Sequence, residues 1–243
     1  LISHCGDAHT SFLKTDLHGI YRTSLEGRTV GFIDFLMGRL RYSYVSYSQY
    51  LAGEDRLRPV VFLIKKRRMG KESLRSVVFN YAAREIIFSE TGDNKETKAH
   101  KEPMLKDRIY EDYLTLLYNF RHGYYGPLKR DSIYRLPLYI REKMKPLALK
   151  IASFEEQKKN LKKESNKANK DYFLQFQVSR QDVSSGSGEV EGWLSTRAAP
   201  IKGTIKNVIF FGDLWGELIE TRIGDPSKIA AVPDSVKTQI QLP

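Results

Sequence analysis

The residues of this chain that could bind a metal are few, and they lie near its start. His4, Asp7, His9 and His18 carry imidazole and carboxylate groups, which are ordinary zinc ligands. Their spacing matches no known metal-binding motif, and a terminal segment without a scaffold does not fix the geometry of its ligands. We therefore predict solvated side chains here, with no metal and no cofactor.

Catalytic groups are equally scarce. His122 is of a type that serves as a general base, but it falls at the end of a predicted helix, where a basic residue is explained by the helix dipole. The sequence holds no G-x-S-x-G motif, no H-E-x-x-H motif and no phosphate-binding glycine loop. Neighbouring acids such as Glu111 and Asp112 do not converge on one substrate atom. We expect no catalytic residues and no enzyme activity.

Basic residues are in excess. The chain has 40 Lys+Arg against 29 Asp+Glu, a formal charge of +11, with clusters at residues 65–68 and 158–170. The second cluster lacks the aromatic residues that single-strand nucleic-acid binders interleave with charge, so nucleic acid ranks below anionic lipid as a partner. The simplest interpretation of this cluster is a solvated hairpin tip. The candidate contacts to an anionic surface are Lys158, Lys159, Lys162 and Lys163.

Aromatic residues offer the other candidate site. If a curled sheet leaves its interior partly empty, some aromatics should line an apolar cleft instead of packing in the core. The cleft candidates are Tyr42, Tyr44, Tyr113, Phe120 and Trp193.

The elements that would position these residues are mainly strands. The composition is globular, and 14 Tyr and 12 Phe favour β-structure. We predict one β-rich domain over residues 18–221, with an N-terminal extension at 1–17 and a polar C-terminal tail at 222–243. The sole cysteine, Cys5, excludes an internal disulfide.

Turn signals and alternation predict a long antiparallel meander. Gly27 is expected to reverse the chain after a first strand that starts near Ile20, and Gly31 is expected to interrupt the next one. We expect an irregularity near Val45, a turn at Met69-Gly70 and an edge strand at Pro137. The predicted strands cover residues 39–50, 58–64, 76–81, 85–90, 132–140, 146–154, 171–178, 189–195, 201–211 and 213–221, with a charged loop at 91–103.

One amphipathic helix is predicted at about 108–122. Its apolar stripe consists of Ile109, Tyr113, Leu116, Leu117 and Phe120. We expect Asp107 to cap its start and Gly123 to take the left-handed position after its end. A single amphipathic helix among strands must bury its stripe against a sheet.

The order of these features resembles the bacterial domain-of-unknown-function family 3108 over roughly residues 18–220. The resemblance is carried by the 21–31 pattern, the helix that follows Tyr110-Glu111-Asp112, Gly192-Trp193-Leu194-Ser195, Ala198-Ala199-Pro200-Ile201 and the segment 212–218. It implies an exported envelope protein whose sheet curls into an open barrel around a helix, with no known activity. The lysine-rich segment 155–170 departs from the family pattern.

Three functions remain open. The leading hypothesis is a non-enzymatic periplasmic or envelope protein that binds a lipid or another apolar component in its cleft, its export signal having been removed. The second is a scaffold or assembly factor that holds a protein partner through strand edges or the lysine-rich hairpin at 156–170. The third is nucleic-acid binding. No apolar run reaches the length of a membrane-spanning helix.

Overall fold

The computed structural model describes residues 6–36, 38–92, 97–140, 143–161, 171–178, 180, 185–208, 212–222, 225 and 227–240. The chain divides into two compact units. Unit 1 comprises residues 1–118, 139–144 and 224–243, and unit 2 comprises residues 119–138 and 145–223. This division differs from the predicted single domain over 18–221.

Unit 1 is built on an eight-stranded sheet. Its strands are β1 Gly6–Thr15, β2 Ile20–Thr29, β3 Arg41–Leu51, β4 Arg56–Arg68, β5 Lys71–Asn80, β6 Glu85–Gly92, β7 Lys98–Pro103 and β14 Ile229–Ala230. They lie in the order β14-β1-β2-β3-β4-β5-β6-β7. Every pair from β1 to β7 is antiparallel, and β14 lies parallel to β1. The prediction of a mainly β chain with a long meander is confirmed.

Both faces of this sheet are buried over part of their area. Successive side chains of a strand point to opposite faces, and Val78 and Phe79 accordingly belong to two different hydrophobic clusters. The cluster of Phe79 includes Phe62, Ile86, Tyr110 and Leu114. The cluster of Val78 includes Ile20, Val61, Val232 and Val236.

The start of the chain differs from the prediction. Residues 6–15 form a strand that pairs with β2 along nine residues, so the predicted N-terminal extension belongs largely to the sheet. Gly27 does not reverse the chain, because it lies inside β2 between Ala8 on one side and Tyr42 on the other. The reversal comes later, where Gly31 has a φ of 61° and starts the short helix α1 Gly31–Leu36. The predicted strand after Gly27 is therefore wrong.

Further along the meander, the turn predicted from the sequence agrees with the structure. The Met69-Gly70 turn is confirmed, and it joins β4 to β5 in the register Arg68 opposite Lys71. The predicted irregularity near Val45 falls elsewhere, because the pairing of β3 with β4 shifts between Tyr47 and Ser48. Within the predicted charged loop at 91–103, residues 98–103 form β7.

Helix α2 spans Tyr113–Arg121 and is shorter than predicted. Asp107 has a positive φ of 57° and does not cap it. Asp112 does, since its carboxylate accepts hydrogen bonds from the amides of Leu114 and Thr115. The predicted end is confirmed. Gly123, at a φ of 79°, donates to Phe120 O, and Tyr124 donates to Asn119 O, which is the Schellman arrangement.

The C-terminal segment is not a solvated tail. After β14, the short helix α4 Asp234–Lys237 follows, and Val232 and Val236 are buried against the sheet of unit 1. Asp16 anchors this segment, because its carboxylate accepts from the Val232 amide at 2.9 Å and pairs with Lys237 Nζ at 2.9 Å. The predicted polar tail at 222–243 is therefore wrong over residues 229–240.

Unit 2 holds most of a six-stranded sheet in the order β13-β12-β11-β10-β9-β8. The strands are β8 Ser132–Ile140, β9 Lys143–Ile151, β10 Tyr172–Gln177, β11 Glu189–Leu194, β12 Pro200–Val208 and β13 Gly212–Glu217. β8 carries Pro137 and lies at one edge, as predicted. The core here contains Ala152, Phe173 and Trp193.

Helix α3 Phe154–Leu161 occupies the first part of the predicted lysine-rich hairpin. It begins with a capping box, in which Ser153 Oγ accepts from the Glu156 amide and Glu156 accepts from the Ser153 amide. Gln157 is buried, and its side-chain oxygen accepts from the Phe173 amide at 3.3 Å. The hairpin interpretation is thus wrong over residues 156–161, while residues 162–170 lie outside the described residues.

Candidate functional site

Three of the five predicted cleft residues come together on one face of the eight-stranded sheet. The rings of Tyr42 and Tyr44 lie 6.2 Å apart between centroids, and those of Tyr44 and Tyr113 lie 6.4 Å apart. All three are half-buried, as are Leu25 and Ile64 beside them. We call these five residues, Leu25, Tyr42, Tyr44, Ile64 and Tyr113, the aromatic surface.

Strand register explains how the sheet residues of the aromatic surface meet. Tyr44 lies directly opposite Leu25 on β2 and opposite Ile64 on β4, so the three side chains form a row across three strands. Tyr42 is two residues before Tyr44 and therefore shares its face. The face is the one that packs on the start of α2, because Tyr113 also contacts Phe62 of the same cluster at 6.3 Å between ring centroids.

A cation borders the aromatic surface. Lys66 lies opposite Tyr42 in the register of β3 and β4, and its Nζ stands 5.5 Å from the centre of the Tyr42 ring. This is within the range of a cation–π contact. Together, the aromatic surface and Lys66 combine apolar area, three phenol hydroxyls and one positive charge, a set that suits an amphiphilic molecule with an acidic or polar end.

The cap of α2 fixes Tyr113 on this surface. Asp112 is fully buried and accepts a 2.6 Å hydrogen bond from Ser46 Oγ, besides the two helix amides. Burial raises the pKa of Asp112, although the hydrogen bonds that it accepts act in the opposite direction. The carboxyl group therefore ties the first turn of the helix to β3, one residue before Tyr113.

Besides Asp112, the same unit contains a group of several buried polar side chains. The guanidinium of Arg58 stands 4.2 Å above the ring of Tyr81, and Arg56 is 3.8 Å from the fully buried Glu111. Burial raises the pKa of Tyr81. These contacts replace water around charged groups in the interior, so part of the unit 1 core is polar. Neither Asp112 nor this group was selected from the sequence as a site.

The other two cleft candidates lie in unit 2 and are core residues there. Phe120 is buried and packs edge-on against Tyr134, with ring centroids 5.2 Å apart. Trp193 is buried against Phe173 at 5.0 Å between ring centroids. Their selection from the sequence depended on residue type, which does not distinguish a core aromatic from a cleft aromatic.

The structure describes two of the four lysines that the sequence predicts as contacts to an anionic surface. Lys158 and Lys159 lie on the exposed side of α3, next to the buried Gln157. Lys162 and Lys163 lie outside the described residues.

The described residues considered for metal binding or catalysis do not assemble into one site, although Asp7 and His9 share a face of β1. Asp7 pairs with Arg28, with hydrogen bonds of 3.1 Å to its carboxylate, and His122 is exposed just after α2. Across the described residues, no group of three or more His, Cys, Asp or Glu side chains could hold a metal ion. His4 lies outside those residues. Within the same part of the chain, no helix is both long and apolar enough to cross a membrane.

Comparison with known proteins identifies the family. The model of a protein family of unknown function, DUF3108, matches residues 5–218. The chain belongs to the DUF3108 family. The resemblance recognised in the sequence motifs is thereby confirmed for this DUF3108 protein. No curated protein matches it.

One solved structure is similar to this DUF3108 chain in part. It is the crystal structure of a beta-barrel-like protein of the domain-of-unknown-function family DUF1849 from Brucella abortus. The two chains are 8% identical, with a TM-score of 0.40, and the comparison covers 89% of this chain and 97% of the other.

Proposed function

We propose that this DUF3108 protein is a non-enzymatic binding protein of the cell envelope, which holds an acyl chain or another apolar envelope component on the aromatic surface. The observation that carries the proposal is the convergence of Tyr42, Tyr44 and Tyr113 on one half-buried patch. Residues in a filled core would be buried on all sides, whereas these three retain accessible area.

Tyrosines suit this role physically. A phenol ring contributes apolar contact area, and its hydroxyl stays hydrated when the site is empty, so the patch does not have to be covered. Lys66 at the border would contact the acidic or polar end of the molecule. The proposal contains no catalytic step.

A fluorescent fatty acid tests the proposal directly. Tyr44→Ser should weaken its binding by about tenfold or more, since covering an aromatic ring with the ligand is worth about 1.5–3 kcal/mol. Tyr50→Ser is the matched control, because Tyr50 is exposed and bonds to Asp55 at the far end of the same strand. Circular dichroism and melting curves should show both variants folded.

Two results would count against this function. The first is equal fatty-acid binding by the two variants. The second is the absence of any lipid in organic extracts of natively purified protein, together with no shift of the melting temperature by the fatty acid. Fractionation of cells that express an epitope-tagged protein tests the periplasmic location, which is part of the same proposal.

The edge strand β13 favours a scaffold as the second candidate function. At the other sheet, the edge strand β7 carries Lys98, Lys101 and Pro103, residues that discourage further strand pairing. β13 has no proline or lysine, and Trp215 on it is 47% exposed. An extended segment of a partner protein could add to such an edge.

Crosslinking in cells separates the second candidate from the first. A partner that adds a strand to β13 should lose its crosslinks in Trp215→Lys and keep them in Lys158→Glu. The reverse pattern would assign the partner to α3 and its lysines, and unchanged crosslinks in both variants would contradict the scaffold function. Fatty-acid binding should be unchanged in both, since neither residue is part of the aromatic surface.

A further inference from the structure

A groove of about 550 Å³ lies on the eight-stranded sheet, and Tyr42 is the one residue of the aromatic surface that borders it. Most of its side chains occupy alternate positions on β1 to β5, on the face opposite to Tyr42 and Tyr44. We call it the arginine groove. Its lining residues are Asp7, Ala8, His9, Glu26, Gly27, Arg28, Arg41, Tyr42, Ser43, Lys65, Arg67 and Glu72.

Three arginines form a row across the arginine groove. Arg28 on β2 is directly opposite Arg41 on β3, and Arg41 is directly opposite Arg67 on β4. Neighbouring strands are about 4.8 Å apart, so the backbone positions of the outer two are about 10 Å apart. Like charges placed directly opposite each other destabilise a sheet. The row therefore needs negative charge close by.

The carboxylates near the groove pair with Arg28, with Arg41 or with cations outside the row, such as Arg22, which lies 3.8 Å from Glu26. Asp7 pairs with Arg28 at 3.1 Å, and Asp34 pairs with Nη1 of Arg41 at 2.7 Å. Glu72 lies opposite Arg67 in the register of β4 and β5, but its carboxylate pairs with Lys65 at 2.9 Å. Within the described part of the chain, the side chain of Arg67 makes no ion pair or hydrogen bond.

Arg41 also keeps donors available. Its Nη1 bonds to Asp34 and to the carbonyl oxygens of Thr29 and Leu40. No described residue accepts a hydrogen bond from its Nε or Nη2. The groove therefore offers a whole guanidinium and part of a second one, with a third within about 10 Å.

We propose that the arginine groove binds a phosphate-type oxyanion carrying two or more negative charges, either a free anion such as pyrophosphate or a phosphorylated lipid headgroup. Guanidinium groups match such oxygens in bidentate fashion. The oxyanion would contact Arg67 and the free side of Arg41, and it would offset the repulsion along the row. The arginines of the groove lie on the face opposite to the aromatic surface, so this inference does not rest on the proposed function.

Titration calorimetry with pyrophosphate at low ionic strength tests the proposal. Arg67→Gln should weaken binding by about tenfold, because it removes a charged hydrogen-bonding partner. The matched control is Arg68→Gln, which removes the same charge from the next residue of β4 on the opposite face. Its effect should be about twofold or less, which is what screened charge at a distance produces. Both residues are exposed, so both variants should melt as the wild type does.

A second binding experiment, with lipid vesicles, distinguishes a free phosphate anion from a phosphorylated lipid headgroup. Vesicles of phosphatidylcholine with and without phosphatidic acid replace pyrophosphate, and the same two variants are compared. Binding in either arm that depends on Arg67 but not on Arg68 supports the proposal, and the arm in which it occurs names the source. Equal losses in the two variants would show unspecific attraction to net charge, and absence of binding in both arms would also overturn the proposal.

Discussion

The two faces of the eight-stranded sheet carry different kinds of surface. The face toward α2 is aromatic, with buried hydrogen-bonded groups around Asp112. The opposite face is divided, with a valine-rich patch under the C-terminal segment and the arginine groove toward the other end of the strands. Both are encoded by the same strands, because alternate residues serve alternate faces. One meander can therefore hold two unrelated ligand chemistries without an added domain.

The largest expected loss of stability comes from removing a side chain between the sheet and α2. Phe79 is 1% exposed and belongs to the cluster that includes Leu114. Phe79→Ala should lower the free energy of unfolding by about 3–5 kcal/mol through lost burial and a residual cavity. Urea denaturation measures it. Phe35→Ala is the control, since Phe35 is 79% exposed and its removal should cost at most about 0.5 kcal/mol.

The next largest loss of stability is expected from changing the residue that caps α2. Asp112→Ala should cost about 1–3 kcal/mol, because the amides of Leu114 and Thr115 and the hydroxyl of Ser46 lose their acceptor. Asp112→Asn keeps one acceptor oxygen and removes a charge whose burial is unfavourable, so it should cost less. The same denaturation assay compares them. Equal losses in the two variants would contradict the role of Asp112 as a cap.

Lowering the pH should destabilise the C-terminal segment on one face of the sheet and stabilise the cap of α2 on the other face. The hydrogen bond and ion pair with Lys237 lower the pKa of Asp16 below 3.8, so the stability that Asp16 gives the C-terminal segment is present above 3.8 and is lost as the pH falls through its folded-state pKa. Burial raises the pKa of Asp112, so the stability from its preferential protonation is present below 3.8 and is lost as the pH rises through its folded-state pKa.

Amide hydrogen exchange below pH 3.8 distinguishes the two faces. Residues 229–240 should lose protection before residues 113–118 as the pH falls. Asp16→Asn is the control, since it should loosen residues 229–240 already at neutral pH and remove the acid dependence of that segment. Simultaneous loss of protection in both segments, in the wild type, would mean that the faces are not independent.

Much of the sheet could be predicted from the sequence because its signals are local. Alternation placed Tyr42 and Tyr44 on one face, Pro137 marked an edge strand, and Gly123 marked the end of α2. The Ser153 to Glu156 spacing is also a local signal, and the capping-box pattern would have predicted the start of α3.

The errors concern interactions between residues distant in the sequence. Gly27 has the appearance of a turn residue, yet pairing with β1 and β3 on its two sides keeps it extended. Asp107 and Asp112 are equally suited to cap a helix by type, and the bond from Ser46, 66 residues away, helps to favour Asp112. The C-terminal segment depends on β1 and Asp16 at the other end of the chain.

The candidate sites show the same limit. The aromatic surface was found in part, because Tyr42 and Tyr44 are close in sequence, but Phe120 and Trp193 were chosen by residue type alone. The arginine groove was missed entirely. Arg28, Arg41 and Arg67 become neighbours only through the register of three strands, and that register is fixed by the buried rows further along the same strands.

The smallest expected change in stability distinguishes a binding role of the arginine groove from a structural one. Asp7→Asn removes an exposed ion pair with Arg28, whose side chains are 40% and 61% accessible, and such a pair contributes about 0–1 kcal/mol. Stability should therefore change little. Pyrophosphate binding should strengthen by a few fold at low salt, because a carboxylate that competes for Arg28 is gone. Calorimetry and denaturation on the same preparation measure both quantities. If Asp7→Asn instead destabilised the fold and left pyrophosphate binding unchanged, the arginine row would be a structural feature of β1 to β4.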